Sequence, residues 1–101
     1  MLASQTVKRF AWSEEKNRWL ESERGITFEV ILFHIERGDL LDLLEHPQAE
    51  RFGHQKIFVV RVGDYAFLVP FVESEDEIFL KTIIPSRKAT RDYVKTGGEG
   101  S

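Results

Sequence analysis

The chain has 101 residues, 42% of them hydrophobic and 12% aromatic, with no cysteine and a formal net charge of −3. Such a composition fits one small globular domain and excludes a disordered chain, a disulfide scaffold and thiolate chemistry. No apolar run approaches the roughly 20 residues of a membrane span, and Met1 to Val7 lack a charged-then-apolar signal layout, so a soluble cytoplasmic protein is expected.

A single domain is expected over residues 1–101, with 1–7 and 96–101 as flexible ends. Ser13-Glu14-Glu15 reads as a helix start, a hydroxyl cap followed by acids on the positive end of the dipole. That helix should run to about Arg24 and stop at Gly25, which supplies the left-handed position. Thr27 caps a second helix, with Ile26 and Ile31 placed as a hydrophobic staple. Phe28, Ile31, Leu32 and Ile35 form its buried stripe, and Gly38 ends it. Leu40 to Leu44 is short and bounded by Gly38 and Pro47, so it is read as a strand, although leucine also suits a helix.

The remainder reads as β-structure. Residues 57–62 form a strand, Gly63-Asp64 a two-residue hairpin turn, and residues 65–69 the return strand. Pro70 cannot donate to a ladder, which predicts a bulge or strand end there. The acidic stretch 73–77 should be a solvated turn, followed by a last strand over 78–84 and a short helix over 87–95. Two N-terminal helices packed on an antiparallel sheet, with a short C-terminal helix, make an α+β fold.

Charge is segregated along the chain. Residues 13–50 hold ten acids and four bases, whereas Lys81, Arg87, Lys88, Arg91 and Lys95 gather near the C-terminal end with Asp92 the only acid among them. An acidic protein with its cations collected in one place is suited to meet an anion there.

The order of short motifs resembles the BrnT family of bacterial toxins. Phe10-Ala11-Trp12 matches its opening aromatic strand, Glu15-Lys16-Asn17 its first helix, and Arg24-Gly25-Ile26-Thr27-Phe28-Glu29 its turn into the second helix. Lys81, Ile83-Ile84, Pro85-Ser86 and Arg87-Lys88-Ala89-Thr90 match its ending. The chain departs from the pattern at Arg24, where many members have His, and at Pro85, where many have Ser. The resemblance implies a RelE-like ribonuclease fold and the toxin half of a type II toxin–antitoxin system. It further implies a small antitoxin partner, usually of the ribbon-helix-helix class, which would bring the complex to operator DNA.

RNA cleavage by 2′-hydroxyl attack requires a base, cations for the pentavalent phosphate and an acid for the leaving oxygen; Lys and Arg can supply the charge without a metal or other cofactor. The candidate catalytic residues are Arg87, Lys81, Arg61 and His46. Arg87 heads them, because its planar fork matches a phosphate; the plainer role is a surface Arg at a strand end. Lys81 and Arg61 should stand on sheet faces, either snorkelling at the rim or reaching into a cleft. His46 is the histidine closest to an acid–base role, with His54 behind it, and both also suit a loop. Candidate RNA contacts are Lys16, Lys56, Lys88 and Arg91. Lys16 sits awkwardly in the first turn of a helix, where a cation opposes the dipole. His34 is expected to be structural or to face the antitoxin, and Trp12 and Trp19 to serve packing. No metal-ligand pattern, phosphate-binding glycine loop or serine-hydrolase motif is present. Two functions follow: a translation-blocking, metal-independent RNA endonuclease, or a non-catalytic partner of a ribbon-helix-helix repressor.

Overall fold

The computed structural model describes residues 8–45 and 55–95. Within them the chain runs β1 (Arg9–Ala11), α1 (Glu14–Arg24), α2 (Phe28–Glu36), β2 (Leu40–Glu45), β3 (Gln55–Val62), β4 (Tyr65–Glu73), β5 (Glu77–Leu80) and β6 (Ile84–Ser86). It closes with α3, one α-helical turn (Arg87–Ala89) that widens into a π-helical turn (Thr90–Lys95). The strands form one sheet ordered β1-β5-β4-β3-β2, with β6 also paired to β4.

Both N-terminal helices form for the local reasons expected. The Ser13 hydroxyl accepts the Lys16 N–H, and Gly25 takes φ +68° at the end of α1. The Thr27 hydroxyl accepts the Val30 N–H, while Ile26 and Ile31 are both buried as the staple requires. One side chain then locks the two helices together. Asn17 is buried, its amide oxygen accepts the Phe28 N–H at 2.8 Å, and its Nδ2 donates to Glu29 at 2.8 Å. A first-turn donor of α2 that water cannot reach is satisfied from α1.

Strand alternation gives the sheet two apolar faces. Phe58, Val60, Val69, Phe71 and Leu80 pack against Leu20, Phe28 and Ile31 of the helices, with the Phe58 and Phe71 rings stacked at 4.0 Å. Val59 and Ala66 on the opposite face pack against Ala89 of α3, bordered by Leu41, Leu68 and Val94. The sheet is therefore sandwiched between α1 and α2 on one side and the short α3 on the other. Trp12 joins the first core, stacked on Phe28 at 5.4 Å.

The α+β class and the element order match the sequence-based expectation, but three details differ. The sheet is mixed rather than antiparallel, because β1 lies parallel to β5, with Arg9 opposite Glu77 and Ala11 opposite Phe79. Pro70 neither bulges nor ends its strand; β4 continues through it, paired to Ile57. Its carbonyl accepts the Lys81 N–H at 2.8 Å on the side where its missing N–H would point. There the partner of β4 changes from β6, opposite residues 66–68, to β5, opposite residues 71–73. The interruption expected in β4 thus falls on the neighbouring chain. The single strand expected over 78–84 is accordingly two, and Lys81 stands in the gap between them.

Replacing Asn17 with Ala leaves the Phe28 N–H buried and unpaired, a loss of about 1–3 kcal/mol. The expected outcome is a lower urea midpoint with an unchanged slope, measured by equilibrium unfolding.

Candidate anion-binding site

Thr90 determines where the C-terminal cations stand. Its hydroxyl donates to the Ser86 carbonyl and accepts the Ala66 N–H, both at 2.8 Å, and the side chain is buried. The first bond occupies a carbonyl four residues back, an arrangement known to bend helices, and α3 widens into its π turn at this residue. The Ser86 hydroxyl caps the start of α3 by accepting the Ala89 N–H.

Arg87, Arg91 and Lys95 recur every four residues, a spacing that keeps them on one side of α3. With Tyr65 and Thr90 they line a concavity of about 390 Å³ beside the β3–β4 hairpin. Arg87 is exposed and has no side-chain hydrogen bond or ion pair among the described residues. Arg91 lies 3.7 Å from Asp92, which also takes Lys88 at 3.1 Å. Like charges four residues apart each cost a few tenths of a kcal/mol, so the stack is not explained by helix stability. No acidic side chain lines this concavity.

The other candidates do not all converge here. Lys88 points to the far side of α3, into an apolar groove of about 310 Å³ with Leu44, Val59, Leu68 and Tyr93. Tyr93 donates to Asp42 at 2.6 Å across that groove, which holds the Asp42 carboxyl below its ordinary range and pushes the Tyr93 phenol up. Lys81 is exposed with its ammonium 5.9 Å from the Phe79 ring, and it lies in the gap between β5 and β6 rather than on a sheet face as expected. Arg61 is on the α3 side of the sheet, where its Nε donates to the Gly63 carbonyl at 2.9 Å. Lys16 is on α1, across the sheet from α3, with its ammonium 4.4 Å from the Trp19 ring. Lys56 pairs with Glu73 at 3.4 Å, alongside Lys8 at 2.6 Å. It stands five residues from Arg61 on β3, about 17 Å away and on the opposite face. His46 and His54 lie outside the described residues. Arg24, where the resemblance would place His, fastens α1 to the sheet by donating to the Ile83 carbonyl at 2.5 Å.

Tyr65 and Thr90 complete the concavity without a site role read from sequence, and Lys95, counted there in the C-terminal cation cluster, has no role of its own in that reading. Lys95 carries a readable signal, its four-residue interval from Arg91. Tyr65 and Thr90 have none, because they reach the site only through the pairing of β4 with β6.

In comparisons with protein families, curated proteins and solved structures, no match to this chain was found.

Two measurements test this geometry. Thr90→Val keeps the shape but strands the Ala66 N–H and the Ser86 carbonyl, and should cost about 1–3 kcal/mol by urea unfolding. Glu73 is held below its ordinary value of 4.5, first by the Lys8 hydrogen bond and then, against partial burial, by Lys56. A carboxyl with a depressed folded value binds its proton less readily when folded. Its contribution is therefore present above pH 4.5 and lost as pH falls through the depressed value. Glu73→Gln should flatten the acid side of the stability–pH curve while leaving its shape above neutrality unchanged.

Proposed function

We propose that the protein is the toxin of a type II toxin–antitoxin system, an RNA endonuclease that needs no metal and blocks translation. The observation that carries this reading is the concavity lined by Arg87, Arg91 and Lys95, with no acid in its lining and the Arg87 guanidinium unengaged. A guanidinium fork binds a phosphodiester bidentately and meets the charge that builds on phosphorus as the 2′-oxygen attacks. The net charge of −3 makes the protein a poor general polyanion binder, so phosphate contact is confined to this local surface. The BrnT-like motif order and a RelE-like sheet belong to the same proposal.

A small antitoxin, of the ribbon-helix-helix class by the same resemblance, would neutralise the toxin and carry it to operator DNA. Apolar surface supports such a partner: Phe33 is 57% exposed on α2 and Leu43 51% exposed on the outer strand β2, with Leu40 and Leu44 also exposed. The acidic Asp42 and Glu45 on that strand suit a basic partner.

The test is cleavage of a long single-stranded RNA, free and engaged on ribosomes, with EDTA present. Wild type should cut at least one of the two, and Arg87→Ala should cut about 100-fold more slowly, the scale set by loss of one transition-state donor. A wild-type protein inert on both substrates overturns the assignment.

A further inference from the structure

The cationic concavity includes one aromatic residue in its wall. Tyr65 opens β4 and lines the space together with Arg87, Thr90, Arg91 and Lys95. Sheet register explains the meeting. In the antiparallel pair of β4 with β6, Phe67 is opposite Pro85 and Ala66 is opposite Ser86. One step outward from that last pair brings Tyr65 to Arg87, and neighbouring strands are about 4.8 Å apart. Ser86 is still extended, at φ −133° and ψ 113°, and its hydroxyl accepts the Ala89 N–H of α3. Arg87 therefore leaves the strand on the side of Pro85 and Phe67, which is also the side of Tyr65.

Tyr65 is held in place without being closed in. Its ring meets that of Phe67 at 5.6 Å with an interplanar angle of 61°. The residue is half-buried, and its phenol has no hydrogen bond among the described residues. A tyrosine at the start of a hairpin strand ordinarily serves cross-strand packing, and Val62 is its partner here. Packing does not account for its place in the wall of a space with three cations and no acid. A free phosphate would need the cations alone. A nucleotide carries both an anion and a flat apolar face, separated by one ribose, and the pair of Arg87 and Tyr65 offers a partner to each.

We propose that the concavity takes one nucleotide of single-stranded RNA, with its phosphate on Arg87 and its base stacked on Tyr65. The inference rests on the ribonuclease reading above and adds to it the contact that selects the form of the strand. In a duplex the base faces are closed in by stacking. A site that binds through such a face accepts an unpaired strand and refuses a paired one. Every base has a π-face, so Tyr65 confers little preference among sequences.

The experiment measures binding of the full chain, by fluorescence anisotropy, to a short labelled 2′-O-methyl oligouridylate that 2′-hydroxyl attack cannot cut. The same backbone without bases, and the oligouridylate paired to its complement, are the comparisons. Wild type should bind the single strand about tenfold more tightly than the abasic strand, the scale of one base stacked on an aromatic ring. It should bind the duplex more weakly than the single strand. Tyr65→Phe should keep the preference for bases, and Tyr65→Leu should lose it while binding the abasic strand as wild type does. Arg87→Ala should weaken both strands by the same factor, since its contact is with the phosphate they share. Equal wild-type affinity with and without bases overturns the proposal, as does a duplex bound as tightly as the single strand. So does a Tyr65→Leu that retains the preference, or an Arg87→Ala that binds as wild type. Should Tyr65→Leu fail to fold, photo-crosslinking of wild type to a strand bearing 4-thiouridine decides: the adduct is expected on Tyr65, and one elsewhere overturns the proposal. A wild type that cuts RNA yet is indifferent to bases removes this inference and leaves the ribonuclease standing. One that prefers bases but cuts nothing removes the ribonuclease and leaves the contact, and one that neither cuts nor binds removes both.

Discussion

A single hydroxyl group positions the cationic side of this molecule. Thr90 bonds at once to Ser86 in the strand that precedes α3 and to Ala66 in the centre of the sheet. A helix as short as α3 has no independent stability, and its apolar contact with the sheet rests on small groups such as Ala89. The two hydrogen bonds replace what a longer amphipathic helix would obtain from burial. They also fix its rotation, so Arg87, Arg91 and Lys95 face the hairpin while Lys88 and Asp92 face the opposite groove.

The sheet separates two kinds of work. On one face large aromatic and aliphatic side chains are closed in by α1 and α2, and the lock between those helices is the buried Asn17 carboxamide. On the other face small residues, Val59 and Ala66, allow α3 to lie close and leave the sheet margin open to solvent. Cations on the first side are held by local partners: Lys16 by Trp19, Lys56 and Lys8 by Glu73. At the hairpin margin Arg87 has no side-chain partner among the described residues, and its charge is available to a ligand.

Much of the fold was legible because its signals are local. The Ser13 and Thr27 caps, the Gly25 and Gly38 stops and the Gly63-Asp64 turn each act within a few residues, and each stands where the sequence put it. What was not legible depends on contacts between distant segments. Arg9 could not announce a parallel partner near Glu77, and Pro70 could not reveal that its missing donor would split the next strand rather than its own. The site follows the same division. The basic interval from Arg87 to Lys95 is visible in sequence, as are its members Arg87 and Arg91. Tyr65 enters only through the sheet, at the start of β4 beside the hairpin turn. Lys56 and Lys16 read as free cations in sequence since a one-dimensional charge count omits the acid or ring that folding brings to them.

The parallel pairing of β1 with β5 has a consequence for vectorial synthesis. β1 finds its neighbour 68 residues later in the chain, so a nascent polypeptide cannot pair Phe10 with Ile78 until β5 has emerged. The hairpin of β3 and β4 can close early across its two-residue turn, but its outer edge stays uncovered through that interval. The cationic turn of α3 follows β5 and needs β4 already in place to receive Thr90. Assembly thus has a built-in order: scaffold first, edge closure next, charged surface last. An incomplete chain therefore lacks the organised row of cations that α3 presents once β4 has received Thr90.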